Sequence, residues 1–218
     1  LSGLLQFTAN GTGSTLDPTY DARGSIADLY AGDEGIGQVS ARLRYVKETV
    51  VVDQLEAASS RLSISGSGRV AMNDEMDGEL TFRVTNTAID PYLRLIAPNT
   101  KISPYASAIV SGTVRMSGEL ADYRYLSADV SVDKAELRLF DYPLQNDGPM
   151  HITFGDNTLH VGRFKLAGED TQLDVVGDVS LNDEQVNIKA SGSANLAILQ
   201  AFFTDLRSSG AAEITADI

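Results

Sequence analysis

Leu62-Ser63-Ile64-Ser65-Gly66-Ser67-Gly68-Arg69-Val70-Ala71-Met72 is the stretch whose reading decides the fold. Apolar or small residues occupy every second position, and serine, arginine or alanine occupy the positions between. Successive side chains of a β-strand point to opposite faces, so this period of two predicts a strand with one apolar and one polar face. Buried parallel strands read instead as unbroken apolar runs, so the pattern predicts antiparallel strands wetted on one side.

The same pattern recurs on both sides of that stretch. Upstream, Val39, Ala41, Leu43 and Tyr45 alternate with Ser40, Arg42 and Arg44. Downstream, Leu80, Phe82 and Val84 alternate with Glu79, Thr81 and Arg83. Further ladders are Val110-Gly112-Val114-Met116, Val130-Val132, Leu137-Leu139, Leu173-Val175-Gly177-Val179-Leu181, Val186-Ile188-Ala190 and Ala212-Ile214-Ala216-Ile218. Turn residues separate them: Gly32-Asp33-Glu34-Gly35, Asn73 to Gly78, Gly155-Asp156-Asn157 and Asn182-Asp183-Glu184. Asn, Asp and Gly accept the positive φ angles that reverse a chain. The expectation is an all-β meander of hairpins.

Two short helices are expected within it. Asp90-Pro91 precedes Tyr92, Leu93, Leu95 and Ile96, with an N-cap residue and a proline in the first turn. Asn195 precedes Leu196, Ile198, Leu199, Phe202 and Phe203 in the same manner. These two sites belong to an internal repeat. Thr49-Val50-Val51-Val52-Asp53-Gln54-Leu55 parallels Thr158-Leu159-His160-Val161-Gly162-Arg163-Phe164, and Met72-Asn73-Asp74-Glu75 parallels Leu181-Asn182-Asp183-Glu184, both at an offset of 109. Leu62-Ser63-Ile64-Ser65-Gly66 parallels Leu173-Asp174-Val175-Val176-Gly177 at 111, and Asp90 and Asn195 are 105 apart, so the offset drifts with loop length. The chain is read as two units, 1–109 and 110–218, stacked in one direction.

Composition narrows the function. The 218 residues carry a formal charge of −13, from 30 acidic and 17 basic side chains, which argues against a nucleic-acid partner. Hydrophobic residues make up 43%, enough to fold, yet aromatics are only 7% and tryptophan is absent, so the apolar surface is aliphatic. With no cysteine, disulfides, thiolate metal sites and a cysteine nucleophile are excluded. The chain begins at Leu1 and stops within an alternating pattern, and is read as a piece of a longer protein.

Catalytic and metal chemistry finds little support. His151 and His160 flank the Gly155-Asp156-Asn157 turn, but a zinc site needs three or four ligands, and solvent-facing hairpin histidines are the better reading. Asp74, Glu75 and Asp77 lack the ligand spacing and closing glutamate of a calcium loop. Gly66-Ser67-Gly68 precedes a strand and not a helix, so it is no dinucleotide fingerprint. No enzyme activity, cofactor or metal is expected. A carbohydrate-processing enzyme is the weakest alternative, since sugar platforms need aromatic side chains.

Several motifs carry a family resemblance. Gly177-Asp178-Val179-Ser180-Leu181, then Ala194-Asn195-Leu196-Ala197-Ile198-Leu199, then Ser209-Gly210-Ala211-Ala212-Glu213-Ile214 form one copy. Gly66 to Met72, Ile89-Asp90-Pro91-Tyr92-Leu93 and Ser111-Gly112-Thr113-Val114-Arg115-Met116 form the other, departing at Asp90-Pro91 where the later copy has Asn195-Leu196. Together they resemble the TamB (translocation and assembly module) family and the wider AsmA-like group. The resemblance implies an extended antiparallel sheet folded into a U-shaped hydrophobic groove in the bacterial periplasm. It also implies an inner-membrane anchor outside this stretch, phospholipid as cargo, and an outer-membrane barrel partner like TamA. Members are implicated in moving phospholipid to the outer membrane and in assembling outer-membrane proteins.

The residues expected to line such a groove are Val39, Leu43, Leu62, Ile64, Val70, Met72, Leu80, Phe82, Val84, Val114, Val130, Val132, Leu137, Leu173, Val175, Val179, Val186, Ile188 and Ile214. Small residues among them, such as Gly66, Gly68, Gly112, Gly177 and Ala190, read equally as clearance for hydrocarbon or as bends. The alternative fold is a series of β-sandwich repeats, and the alternative function a structural or adhesive cell-surface protein.

Overall fold

The computed structural model describes residues 1–14, 17–92, 106–139, 142–181, 185–196 and 210–217. It is an all-β antiparallel sheet. The strands are β1 (Ser2–Ser14), β2 (Asp17–Ala31), β3 (Glu34–Val46), β4 (Thr49–Ala58), β5 (Ser63–Ala71), β6 (Asp77–Ala88) and β7 (Ala106–Glu119). They continue with β8 (Leu126–Leu139), β9 (Tyr142–Asn146), β10 (Met150–Gly155), β11 (Thr158–Gly168), β12 (Thr171–Ser180), β13 (Gln185–Asn195) and β14 (Ala211–Asp217). All 14 belong to one sheet and pair in chain order, apart from β9, which lies beside β8 and β11. Sandwich repeats need two sheets; among the described residues there is one.

Compact contacts group the chain into two units, Leu1–Thr87 with Thr113–Ala128, and Ala88–Gly112 with Asp129–Ile218. The repeat boundary read from the sequence, between 109 and 110, falls inside β7.

Local chemistry explains the hairpins. Lys47 and Glu48 (φ 48° and 57°) join β3 to β4, and Asp156 and Asn157 (φ 49° and 56°) join β10 to β11. Paired positive φ angles give the turn whose twist matches that of the flanking strands. Between β5 and β6 the Asn73 side chain holds the loop, its Nδ2 donating to Asp77 Oδ2 and its Oδ1 accepting from the Asp77 amide. Asp74, Glu75 and Asp77 are therefore exposed residues of a hairpin tip.

The expected ladders Val130-Val132 and Leu137-Leu139 prove to be one strand, β8. Its period slips at Asp133 and Lys134, both exposed, before the buried Ala135. Asn146 bridges the matching break between β9 and β10: its Oδ1 accepts from the Ala135 amide, and its Nδ2 donates to the Asp133 and Gly148 carbonyls. Backbone groups left unpaired by the interruption are satisfied by one side chain. The first expected helix begins as a helical turn at residues 90–92, and its continuation lies outside the described residues. Asn195, the expected N-cap, instead ends β13, the Leu196 amide donates to the Gly210 carbonyl, and positions 197–203 of the expected second helix lie outside the described residues. A 3-10 turn at Tyr123–Tyr125 was not anticipated.

Candidate ligand-binding face

The strand register decides which side chains share a face. In the first unit Val39 pairs with Ala57, Ala57 with Ile64, and Ile64 with Val84. The next rows are Ala41, Leu55, Gly66 and Phe82, then Leu43, Val52, Gly68 and Leu80, then Tyr45, Val50, Val70 and Gly78. Directly paired residues point to the same side of a sheet. Seven expected lining residues, Val39, Leu43, Ile64, Val70, Leu80, Phe82 and Val84, are thereby brought onto one face. The face extends across β2 and β1 through Ile26, Leu5 and Phe7.

The second unit repeats the arrangement. Leu166, Leu173, Gly192 and Ile214 form one row; Phe164, Val175, Ala190 and Ala216 form the next. Val161, Gly177 and Ile188 follow, then Phe154, Leu159, Val179 and Val186. Val132, Leu137 and Leu173 pack against a buried cluster of Ala135, Tyr142, Leu144, Met150 and Leu166. Val130 alternates with Val132 along β8, and Val114 stands half-buried in β7.

Sequence reasoning omitted Val50, Val52, Leu55, Leu159, Val161, Phe164 and Leu166. The cause is a β-bulge. Pairing slips between Val52 and Leu55 in β4 and between Val161 and Phe164 in β11. An extra residue restarts the period of two half a cycle out of phase, so the apolar positions look unaligned. The signal was present in the sequence, because these two segments are the ones that match at an offset of 109.

The opposite face is polar and laced with cross-strand ion pairs and hydrogen bonds. Arg69 faces Glu79 at 2.9 Å, Lys165 faces Asp174 at 2.7 Å, and His160 faces Asp178 at 2.5 Å, each pair directly opposed in the ladder. Arg44 grips Asp53 with two bonds of 2.6 and 2.7 Å; this hydrogen bonding holds the Asp53 carboxyl below its usual range and raises Arg44. Exposed pairs of this kind add little to stability, because water and salt screen them. Their larger effect is on register, since a one-residue slip would bring charge onto the apolar face. His151 lies 3.3 Å from Asp129, and among the described residues no three acids or histidines gather as metal ligands. Shallow depressions lie on the polar side of the first unit, one lined by Gln6, Thr8, Arg23, Ser40, Arg42 and Gln54. A twisted sheet is saddle-shaped and so hollows on both faces.

The apolar face is incompletely covered. Among the described residues the buried apolar side chains are Leu62, Ala135, Tyr142, Leu144, Met150, Val161, Leu166 and Ala194, and of these only Leu62 belongs to the first unit. Val39, Leu43, Ile64, Val70, Leu80, Phe82 and Val84 remain partly exposed along their strands. No protein-family profile, curated protein or solved structure matches the chain. The site must therefore be read from its own chemistry. Its described rows are mostly aliphatic, with Phe82, Phe154, Phe164 and the polar-tipped Tyr45 among them. No helix among the described residues is long and apolar enough to cross a membrane.

Proposed function

We propose that this chain is a segment of a periplasmic lipid-carrying protein whose apolar sheet face holds phospholipid acyl chains between the inner and outer membranes. A role in supporting outer-membrane protein assembly would use the same face. The observation that carries the reading is the single-sidedness of the sheet: row after row of apolar side chains on one face, with no second sheet among the described residues. Exposed apolar area of that extent marks a binding surface. Each methylene removed from water gains about 0.8 kcal/mol, and an aliphatic wall supplies this without fixing the chain in one place. Such a wall suits transfer better than capture. The resemblance to the TamB and AsmA-like proteins supplies the compartment, the inner-membrane anchor and a TamA-like barrel partner, the last two through regions outside this stretch. No catalytic role is proposed.

The test is lipid extraction and mass spectrometry of the purified chain, with photoreactive residues at Val70, Phe82, Val175 and Ile188. Phospholipid in the extract and lipid adducts at those positions are expected. Empty extracts and no adducts would favour a structural or adhesive repeat protein instead.

A further inference from the structure

Burial along the apolar face is graded from one end of the strands to the other, and the gradient repeats in both copies of the motif. In the first copy Leu62, just before β5, is 6% exposed, and Met72, just past its end, is 54% exposed. In the second copy the corresponding positions are Thr171, at 3%, and Leu181, at 53%. Ile64 and Val70, and Leu173, Val175 and Val179, lie half-buried between these extremes.

The open ends share one backbone bond, although the turn residue that accepts it is exposed in the first copy (Glu48) and buried in the second (Asn157, 9% exposed). The Met72 amide donates to the Glu48 carbonyl at 2.7 Å, and the Leu181 amide donates to the Asn157 carbonyl at 2.8 Å. Both bonds carry the ladder one residue past a hairpin turn, Lys47–Glu48 in one case and Asp156–Asn157 in the other. By alternation Met72 continues the row of Val70, and Leu181 that of Val179, so each sets a large apolar side chain at the lip of the apolar face. Polar hairpin residues lie immediately beyond: Lys47, Glu48, Asn73 and Asp74 in the first copy, Asp156 in the second.

The closed ends are also alike. Thr87 is buried, and its hydroxyl accepts from the Ser63 amide at 3.0 Å. Thr171 accepts from the Asn195 amide, also at 3.0 Å, and bonds the buried Tyr142 hydroxyl at 2.9 Å. Each copy thus has a sealed end, where even the polar groups are satisfied internally, and a wet end rimmed by an exposed hydrophobe.

From this gradient we infer an orientation for the bound lipid, an inference that rests on the function proposed above. The headgroup sits at the hairpin end beside Met72 or Leu181, and the acyl chains run down the strands toward Leu62 or Thr171. An amphiphile placed this way keeps its charge in water and puts its methylenes where water is already excluded. Its reach follows from dimensions. One leaflet of a bilayer core is about 15 Å deep, half of roughly 30 Å. At about 3.3 Å per residue, a chain entering at Met72 ends near Gly68, and one entering at Leu181 ends near Gly177. Leu80 pairs with Gly68 and Ile188 with Gly177, so these two side chains meet the chain termini.

The test uses a diacyl phosphatidylethanolamine and a photoreactive phenylalanine analogue placed singly at Met72, Leu181, Leu80 or Ile188, with Asn187 on the polar face as control. Fragmentation of each adduct locates the attachment along the lipid. Attachment to the glycerol or first methylenes is expected from Met72 and Leu181, attachment near the terminal methyl from Leu80 and Ile188, and background labelling from Asn187. Lipid adducts that are reversed, or spread evenly along the chain at all four face positions, would overturn the orientation and leave the lipid reading standing. Labelling no higher than that of Asn187 at all four would remove both.

Discussion

Gly68 and Gly177 occupy one position in two copies of a motif: Gly68 stands between Val52 and Leu80, and Gly177 between Val161 and Ile188. Each lies beside the bulge of the preceding strand, and each has a positive φ, 156° and 144°. A Cβ on Gly68 would strike the Glu79 carbonyl oxygen, and one on Gly177 the Asn187 carbonyl oxygen. The bulge raises the local twist, and the glycine lets the adjacent strand follow it closely. This answers the question that the sequence left open at these two positions: they are bends demanded by backbone geometry, whatever clearance they also give.

Gly68→Ala and Gly177→Ala should each destabilise the fold by about 1–3 kcal/mol, the typical cost of forcing a side chain into such a conformation. Gly66→Ala is the control. Its added methyl would press on the Phe82 ring, a side chain, and meet the Thr81 carbonyl oxygen only at an ordinary contact distance of 3.4 Å. Urea denaturation should therefore show a much smaller loss for Gly66→Ala; equal losses at all three would dissociate the effect from the bulge.

The threonine clamp makes a second prediction. Tyr142→Phe removes one bond to Thr171 and leaves the Asn195 amide paired, for a loss of about 1 kcal/mol. Thr171→Val removes both bonds and takes from the buried Tyr142 hydroxyl its Thr171 partner, at about 1–3 kcal/mol. The denaturation midpoints should rank wild type, Tyr142→Phe, Thr171→Val in falling order.

A charge on the apolar face should weaken lipid retention with little effect on folding. Val70→Lys and Ile188→Lys place an ammonium among the rows expected to hold methylenes, and both positions have enough exposure for it to reach water. Displacing two or three methylenes forfeits about 2 kcal/mol, a fall of at least tenfold in lipid recovered per chain. Asn187→Lys, on the polar face, should retain the wild-type amount.

Acid titration should single out one surface pair. The Arg124 guanidinium, hydrogen-bonded to Asp122, holds that carboxyl down to about 2 from an ordinary 3.8. A carboxyl whose folded pKa is depressed contributes its stabilisation in full above its ordinary range and loses it as pH falls through the folded value. The Asp122–Arg124 contribution should thus be complete above about pH 4 and gone below about pH 2. Carbon-detected NMR should follow Asp122 titrating near 2, and in Arg124→Ala near the ordinary value.

Much of the architecture was legible because alternation is a local signal. β5, β6, β12 and β13 could be read residue by residue, and their apolar positions do share a face. β1 and β2 could not. Leu4 and Leu5 are adjacent, and β2 loses its period at a bulge beside Asp28, whose φ is 50°. β4 and β11 were recognised as copies of one another, yet their apolar rows were missed for the same reason.

The sequence by itself determined that the chain is all-β, that its strands are antiparallel and one-faced, and that a motif recurs at an offset of 109. Each of these is written in the spacing of neighbouring residues. Only the tertiary structure decided that the strands form one sheet, where the bulges restore the phase of β4 and β11, and that Leu62 and Thr171 are sealed while Met72 and Leu181 are open. The physical reason is that register and burial depend on what lies across the ladder. Partners such as Gly68 and Leu80 are set by hydrogen bonding between strands, which no periodicity within one strand encodes.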